Sequence, residues 1–438
     1  RGFALDMKTN IYWFRQDLRL GDSPALLKAC HAAQELLLVY IHPSRLDGQT
    51  SWGFSRLGAH RLAHIGATVH ALSGQIAEKG NTLFEFRGSP AAILQQLVET
   101  FNIDTIYCDA IEAPEEQSEI TEIRQRGLNV VDIWQSTMFD PHALPFAPEQ
   151  MPDTFTAFRQ QVEKSRITPR SLTPPPTVLP SAPREASARI ASSIPSFSAT
   201  EARSTSTLAR SAGEEAALAS IKHYFSTKHP LHYKQTRNQL LGEHYSTRLS
   251  TWLATGSVSA ATAYALLREF EAVHGSNDST YWIFFELLWR DYFRFLHLKY
   301  GHRLYLRHGL KRREATPTID TTTQSLRKEN FAKWTMARTK NGFINAGMTE
   351  LRETGYLSNR MRQVVASYLI YDLEGDWRAG AAWFENQLLD FDVYSNQGNW
   401  LYIAGLGTDP RGGRRMNIQK QIQDHDPEGI YRKHWGQA

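Results

Sequence analysis

The sequence is poor in the features that mark secreted, membrane-spanning and metal-cluster proteins. Cys30 and Cys108 are the only cysteines among 438 residues, too few for a disulfide framework or an iron–sulfur cluster. No apolar run approaches the roughly 20 residues that a membrane helix needs. Nothing before Met7 resembles a signal peptide. We therefore expect a soluble, cytoplasmic protein that does not bind metal.

A phosphate-binding glycine loop is also missing from the N-terminal part. Gly21 and Gly88 stand alone there, and neither GxGxxG nor GxxxxGK followed by Ser or Thr occurs. We therefore do not expect this part of the chain to bind a nucleotide in the dinucleotide-fold manner.

What is present predicts two domains, because single cores stop growing at roughly 250 to 300 residues. Residues 7–145 alternate continuous apolar runs with helical patterns, which is typical of parallel strands covered on both faces. The prediction is a Rossmann-like α/β domain with a parallel five-stranded sheet, whose strands fall at 11–14, 36–41, 82–86, 105–108 and 130–134. Ser89 and Pro90 should begin one of its helices.

The rest of the chain differs in composition. Residues 146–210 are rich in Pro, Ser, Ala and Thr, which predicts a long linker that buries little surface, with one short helix near 155–164. Residues 211–438 hold most of the eleven tryptophans and repeat apolar residues at helical intervals, which predicts an all-α domain. The intervals predict helices at 260–274, 282–300, 360–373 and 377–389. Basic clusters at 302–313 and 411–415 fit either a solvated surface or a grip on a phosphate backbone.

The polar stretch 387–401 is the candidate centre of the protein. Asp390, Asp392, Asn396 and Gln397 lie between aromatic segments, so their polar groups need buried partners. Asp, Asn and Gly favour turns, which makes this run a poor helix and a poor strand. A flat heteroaromatic ligand with amide-like edges would supply the partners; a well-satisfied buried loop is the alternative.

Two further segments carry candidate chemistry. On a helix over 281–298, Glu286 lies on one face with Trp282 and Trp289, where burial would raise its pKa. An ion pair from Glu286 to Arg290 is the alternative. The stretch 233–250 places hydroxyls and arginines before a helix, which suits either a phosphate or an ordinary helix cap.

In order along the chain, these segments resemble motifs of the photolyase and cryptochrome flavoprotein family. They are WFRQDLRLGD, YSTRLS, FELLWRDYFRF, SNRMRQVVASYL, DWRAGAAWFENQLLDFDVYSNQGNW and AGLGTDPRGGRRMN. The resemblance is strongest to the cryptochrome DASH branch, and it covers essentially the whole chain after Met7.

The resemblance implies that residues 211–438 form a helical FAD-binding domain. FAD would be held by residues that match the family's motifs: Tyr233, Ser246, Thr247, Arg248, Ser250, Arg290, Arg362, Asp390, Asp392 and Asn396. It also implies light-driven repair of cyclobutane pyrimidine dimers by electron transfer from excited reduced FAD, a deoxyribodipyrimidine photo-lyase activity. Catalytic roles would fall to Glu286, Asn359, Trp400 and Trp377.

The implied partner is UV-damaged DNA, preferentially single-stranded, bound by a monomer. Substrate contacts would come from Trp289, Gln363, Tyr402, Arg237, Arg360 and Arg415. The alternative is a blue-light photoreceptor that signals. A (6-4) photolyase would need two histidines at Ser358 and Asn359.

Two positions depart from the family's pattern. The distal tryptophan of the usual electron-transfer chain falls on Gln324, which predicts slow or rerouted photoreduction. The glutamate that contacts a 5,10-methenyltetrahydrofolate antenna aligns with Ile111, one residue from Glu112, so this antenna stays an open alternative.

Overall fold

The computed structural model describes residues 8–194, 212–312 and 320–437. One five-stranded parallel sheet has the order β3-β2-β1-β4-β5. Its strands are β1 Thr9–Phe14, β2 Glu35–Pro43, β3 Leu83–Gly88, β4 Thr105–Asp109 and β5 Val130–Ile133. The predicted α/β class and the five strands are confirmed.

Helices cover both faces of the sheet, as its continuous apolar strands predict. Along β1, Ile11 and Trp13 face one hydrophobic cluster, whereas Tyr12 and Phe14 face another. Ser89 accepts a hydrogen bond from the Ala92 N–H and starts the helix that begins at Pro90, as predicted. The helices of this part are α1 Pro24–His31, α2 Ala59–Glu78, α3 Pro90–Phe101 and α4 Pro114–Gln125.

The remaining described chain is helical and has its own hydrophobic core. The predicted helix 260–274 coincides with α10, whereas the predicted helix 360–373 changes at Ser367 into a wider π-helical turn, Tyr368–Asp372. The helices are α5 Phe155–Ser165, α6 Ala186–Ser193, α7 Gly213–Phe225, α8 Tyr233–Thr236, α9 Leu249–Thr255, α10 Ala260–His274, α11 Asp278–Tyr300, α12 Thr321–Thr335, α13 Gly342–Thr354, α14 Asn359–Ser367, α15 Trp377–Gln387, α16 Val393–Ala404, α17 Ile418–His425 and α18 Ile430–His434. No helix in these described ranges is both long and apolar enough to cross a membrane.

The prediction that 387–401 makes a poor helix is wrong for its second half, which belongs to α16. Asp392 starts this helix by accepting hydrogen bonds from the N–H and hydroxyl of Ser395. Position 398, inside this helix, is a glycine because the ring of Phe293 on α11 occupies the space that a side chain would need. The close approach of two helices therefore selects a residue that helical propensity disfavours.

The prediction that the linker buries little surface is wrong for α5. Phe155, Phe158 and Val162 are buried in the core of the helical part, and Ile190 of α6 packs against the sheet domain. Residues 195–210 of the predicted linker lie outside the described residues. The segment between the sheet and α7 therefore supplies core side chains to both parts of the fold.

Helix α18 docks on α13 through a buried carboxyl group. The Tyr431 hydroxyl donates a hydrogen bond to Glu350, which is 7% exposed. Burial raises the pKa of Glu350 to about 7. Ionisation of this side chain therefore opposes folding.

We expect Glu350→Gln to flatten the pH dependence of stability. The folded pKa lies above the roughly 4.3 of an unfolded glutamate, so the wild type loses stability as the pH rises through about 7. Relative to the wild type, the variant should gain roughly 1 to 3 kcal/mol between about pH 5 and about pH 8. Urea unfolding at both pH values measures this, with the exposed Glu353→Gln as control. Equal pH dependence in all three proteins would contradict the assignment.

Candidate functional site

A cavity of about 250 Å³ lies among α8, α9, α11 and α14. Its walls bring together residues that are far apart in the chain. Those that the sequence predicts as site residues are Tyr233, Arg237, Ser246, Thr247, Arg248, Ser250, Glu286, Arg290, Asn359, Arg362, Asp390 and Asp392.

A second cavity of about 70 Å³ adjoins the first between α14, α15 and α16. The predicted residues Gln363, Asn396 and Trp400 line it, and the Asn396 amide donates a hydrogen bond to the Ala381 carbonyl. The two cavities share Asn359, Arg362, Asp390 and Asp392. The polar stretch and the hydroxyl-rich stretch therefore border two adjoining cavities.

Asp390 is poised to receive a ligand. Its side chain has no solvent exposure, and Oδ2 accepts from Nη2 of Arg362 at 2.7 Å. Its other oxygen, Oδ1, is buried and has no hydrogen-bond partner among the residues that the structure describes. Because buried polar atoms are nearly always paired, this oxygen fits a hydrogen-bond donor on a bound molecule, such as the N–H or hydroxyl groups of a flavin cofactor.

Asp392 has a structural role as well as a place in the cavity wall. Arg294 donates two hydrogen bonds of 3.0 Å to its two oxygens. Burial opposes ionisation of Asp392, but Arg294 and Arg290 outweigh it and lower its pKa to about 2. The carboxylate is therefore charged at neutral pH and fixes the start of α16.

Arg290 brings excess positive charge to the same wall. Its Nη1 donates to the Ser136 carbonyl at 2.6 Å, and no ion pair to it is found in the described ranges. Burial, reinforced by the nearby Arg294, lowers the pKa of Arg290 to about 9. A guanidinium without a carboxylate partner favours a ligand that carries negative charge.

The wall of the large cavity also combines arginines with an aromatic ring, which suits an anion with an aromatic group. Arg248 and Arg362 lie on the ring of Tyr356, with guanidinium carbons 4.3 and 5.1 Å from its centroid. Tyr245 also lines this cavity. Tyr245 begins the YSTRLS motif, but only Ser246, Thr247, Arg248 and Ser250 of that motif were predicted as contacts. Tyr356 belongs to no charged or hydroxyl-rich pattern, so it was not predicted.

The proposed ion pair between Glu286 and Arg290 is wrong. Glu286 Oε1 instead lies 2.5 Å from Nη2 of Arg237. Burial raises the pKa of Glu286, and Arg237 counteracts it. The helical spacing brings Arg290 near, but the Ser136 carbonyl holds its guanidinium elsewhere.

The other predicted substrate residues lie outside the two cavity linings. Trp289 stacks on Phe155 of α5 with centroids 3.8 Å apart and meets the edge of Tyr402. Arg360 donates to the Asn238 side chain at 3.2 Å. Arg415 lies beside Arg414, which donates to the Tyr402 hydroxyl. Their roles stay predictions.

Of the residues predicted for electron transfer, Trp400 lines the second cavity, whereas Trp377 and Gln324 do not. Trp400 meets Trp334 edge-on at 6.4 Å, whereas the Trp377 indole donates to the Arg307 carbonyl. Gln324 is exposed on α12. The packing adds Trp334, which the motif comparison did not select, to the neighbours of Trp400.

The antenna residue is less well placed. The Glu112 N–H donates to the Tyr394 hydroxyl, and its side chain lines none of the cavities described above. Ile111 lines a separate cavity of about 100 Å³ between the sheet and the helical part, with Trp13 and Phe391. The acids at that cavity, Glu116 and Glu119, pair with Arg45. A folate contact through Glu112 stays a prediction.

Comparisons with known proteins agree with this architecture. Residues 10–180 match the model of the DNA photolyase domain, and residues 282–437 match that of the FAD binding domain of DNA photolyase. The curated cryptochrome DASH of Synechocystis is 38% identical over 98% of this chain and 87% of its own length. Cryptochrome DASH of Danio rerio is 37% identical over 98% of this chain and 83% of its own length.

Solved structures give the same result. A Synechocystis cryptochrome superposes with a TM-score of 0.87 at 36% identity, covering 98% of this chain and 88% of that one. A class III photolyase from Agrobacterium tumefaciens has a TM-score of 0.78 at 24% identity over 99% of this chain and 87% of its own, a likeness of fold. The chain therefore belongs to the photolyase/cryptochrome family, with that family's FAD-binding domain in its helical part.

Proposed function

We propose that the protein uses light to repair cyclobutane pyrimidine dimers, preferentially in single-stranded DNA. The observation that carries the proposal is Glu286, whose carboxyl group projects into the large cavity with a third of its side-chain surface exposed. Asn359 lines both cavities. A carboxyl and an amide beside a flavin site can hydrogen-bond the carbonyl edges of a pyrimidine dimer.

Bound FAD, when reduced and excited by light, supplies the electron that opens the cyclobutane ring. The chain supplies the binding and the charge. Asp390 and Arg362 offer a fixed acceptor and donor, and Arg290 and Arg248 bring positive charge to the cavity without a carboxylate partner in the described ranges. These charges favour the phosphates and any negative charge of the cofactor.

The position of the site supports the proposed preference for single strands. A dimer must leave the duplex to reach a side chain inside a cavity, which costs a few kcal/mol of stacking and pairing. Single-stranded DNA does not incur the pairing cost. Trp289 and Tyr402, in edge-to-face contact at 5.5 Å, offer aromatic surface for the dimer, and Arg237, Arg360, Arg415 and Gln363 offer polar contacts.

A blue-light photoreceptor is the alternative function, because the curated relatives carry the cryptochrome name. Such a protein needs the flavin site but does not need Glu286 at the cavity. The presence of Glu286 in the cavity wall therefore favours repair.

Asp390→Asn tests the cofactor site. The substitution removes the negative charge that pairs with Arg362, and it replaces the carboxylate that holds the free acceptor oxygen with an amide. FAD affinity should therefore fall by about tenfold or more, a change of roughly 1.4 kcal/mol. Flavin absorbance per polypeptide and FAD titration of the stripped protein measure the change. Asp376→Asn, at the start of α15, is the matched control. Unchanged affinity in a folded variant would remove Asp390 from the site.

Glu286→Ala tests repair. Loss of a hydrogen bond to a charged species costs about 1.5 to 3 kcal/mol, so repair under light should slow by roughly 10- to 150-fold. Glu286→Gln, which keeps an N–H donor, should lose less. The measurement counts restored thymines after illuminating reduced protein with dimer-bearing single-stranded and double-stranded oligonucleotides.

Glu269→Ala, an exposed carboxylate on the neighbouring α10, should repair like the wild type. Faster repair of double strands than of single strands would overturn the substrate preference. Flavin photoreduction without repair of either substrate would favour the photoreceptor.

A further inference from the structure

The contact between Arg237 and Glu286 occupies the carboxylate that would have to bind the pyrimidine dimer. The two side chains are 16% and 32% exposed and 2.5 Å apart. An ionised carboxylate accepts hydrogen bonds but cannot donate one to a carbonyl oxygen. With Arg237 in this position, Glu286 has the wrong hydrogen-bonding character for a pyrimidine carbonyl.

Arg237 also lies near Arg360, which has no ion-pair partner within the described ranges. Arg360, at the start of α14, donates to Asn238, the residue after Arg237. Its Nε is buried and has no partner in the part of the chain that the structure describes. Burial, Arg237 and Arg414 together lower the pKa of Arg360 although Asp424 opposes them. Crowded guanidiniums beside a helix N-terminus suit a phosphate group.

The surroundings of Glu286 determine what happens if Arg237 moves away. Burial raises the pKa of Glu286 and Arg237 is the cation that lowers it. Tyr233 lies on the same segment as Arg237. Burial, together with the charge of Glu286, raises the pKa of the Tyr233 hydroxyl, so this hydroxyl stays protonated. Arg290, Arg362 and Asp390 line the same cavity, but Arg290 and Arg362 are bonded to the Ser136 carbonyl and to Asp390. Loss of Arg237 therefore favours protonation of Glu286.

We propose that Arg237 is a positioning residue through which a DNA phosphate controls the protonation of Glu286. A phosphodiester that binds Arg237 and Arg360 draws the guanidinium from the carboxylate. Glu286 then takes one proton from solvent, and the resulting carboxylic acid donates a hydrogen bond into the cavity. This inference rests on the proposed function for the identity of the ligand, but it requires only phosphate, without light or damage.

Proton uptake on binding of an undamaged oligothymidylate in the dark tests the inference. Calorimetric titration of the FAD-loaded protein near pH 7, in two buffers of different ionisation enthalpy, gives the number of protons taken up per oligonucleotide. The wild type should take up a positive number, at most one. Glu286→Gln should bind the oligonucleotide and take up none.

Arg237→Gln should also abolish uptake, because Glu286 is then protonated before DNA is added. Lys234→Gln is the matched control, because Lys234 lies 5.1 Å from the Trp282 ring and pairs with Asp278 instead of Glu286. It should weaken binding and leave the proton number unchanged.

Binding without proton uptake in the wild type, or equal uptake in Glu286→Gln, would overturn the inference. Absence of DNA binding would overturn it together with the proposed substrate. Proton uptake in the dark without repair in the light would support the inference and remove the repair function alone.

Discussion

Helix α11 is the element on which the rest of the structure depends. Its successive turns contact the cavity, the segment after the last strand and the start of α16. Asp291 accepts hydrogen bonds from the Met138 and Phe139 N–H groups, which follow the last strand, and Arg294 holds the start of α16. Burial raises the pKa of Asp291 to about 6, despite these bonds and the nearby arginines. Glu286, one turn earlier, reaches the cavity. One helix thus fixes the positions of the sheet, the start of α16 and the cavity relative to one another.

Charge is distributed unevenly around this helix. In one part of the cavity wall, Asp392 and Arg294 satisfy each other, and the Ser395 N–H and hydroxyl add hydrogen bonds to Asp392. Elsewhere in the same wall, and within the described ranges, Arg290 and Arg248 have no carboxylate partner and one oxygen of Asp390 has no donor. A folded protein keeps such unpaired groups where a ligand completes them. This asymmetry explains why the cavity suits an anionic cofactor with hydrogen-bond donors.

Local pattern was enough to predict the sheet and several helices, because each strand carries its own apolar run and α10 carries its own N-cap at Ser259. It was not enough for α16, whose first turn depends on Arg294, 98 residues away in the chain. The Glu286 partner was likewise missed, since helical spacing suggests Arg290 but the fold brings Arg237. The lining of the cavity was recognisable from motifs, whereas Tyr356 and Phe155 become visible only when distant segments meet.

The stacking of Phe155 on Trp289 has a consequence for how the chain can be divided. Phe155 precedes the helical part by more than fifty residues and belongs to neither the sheet nor the cofactor cavity, yet it covers one face of the Trp289 ring. A fragment that starts at α7 would keep the cavity and lose this cover. Fusions, truncations and chimaeras that begin at the apparent domain boundary would therefore leave one face of Trp289 uncovered. Such proteins should include α5 together with the C-terminal helices.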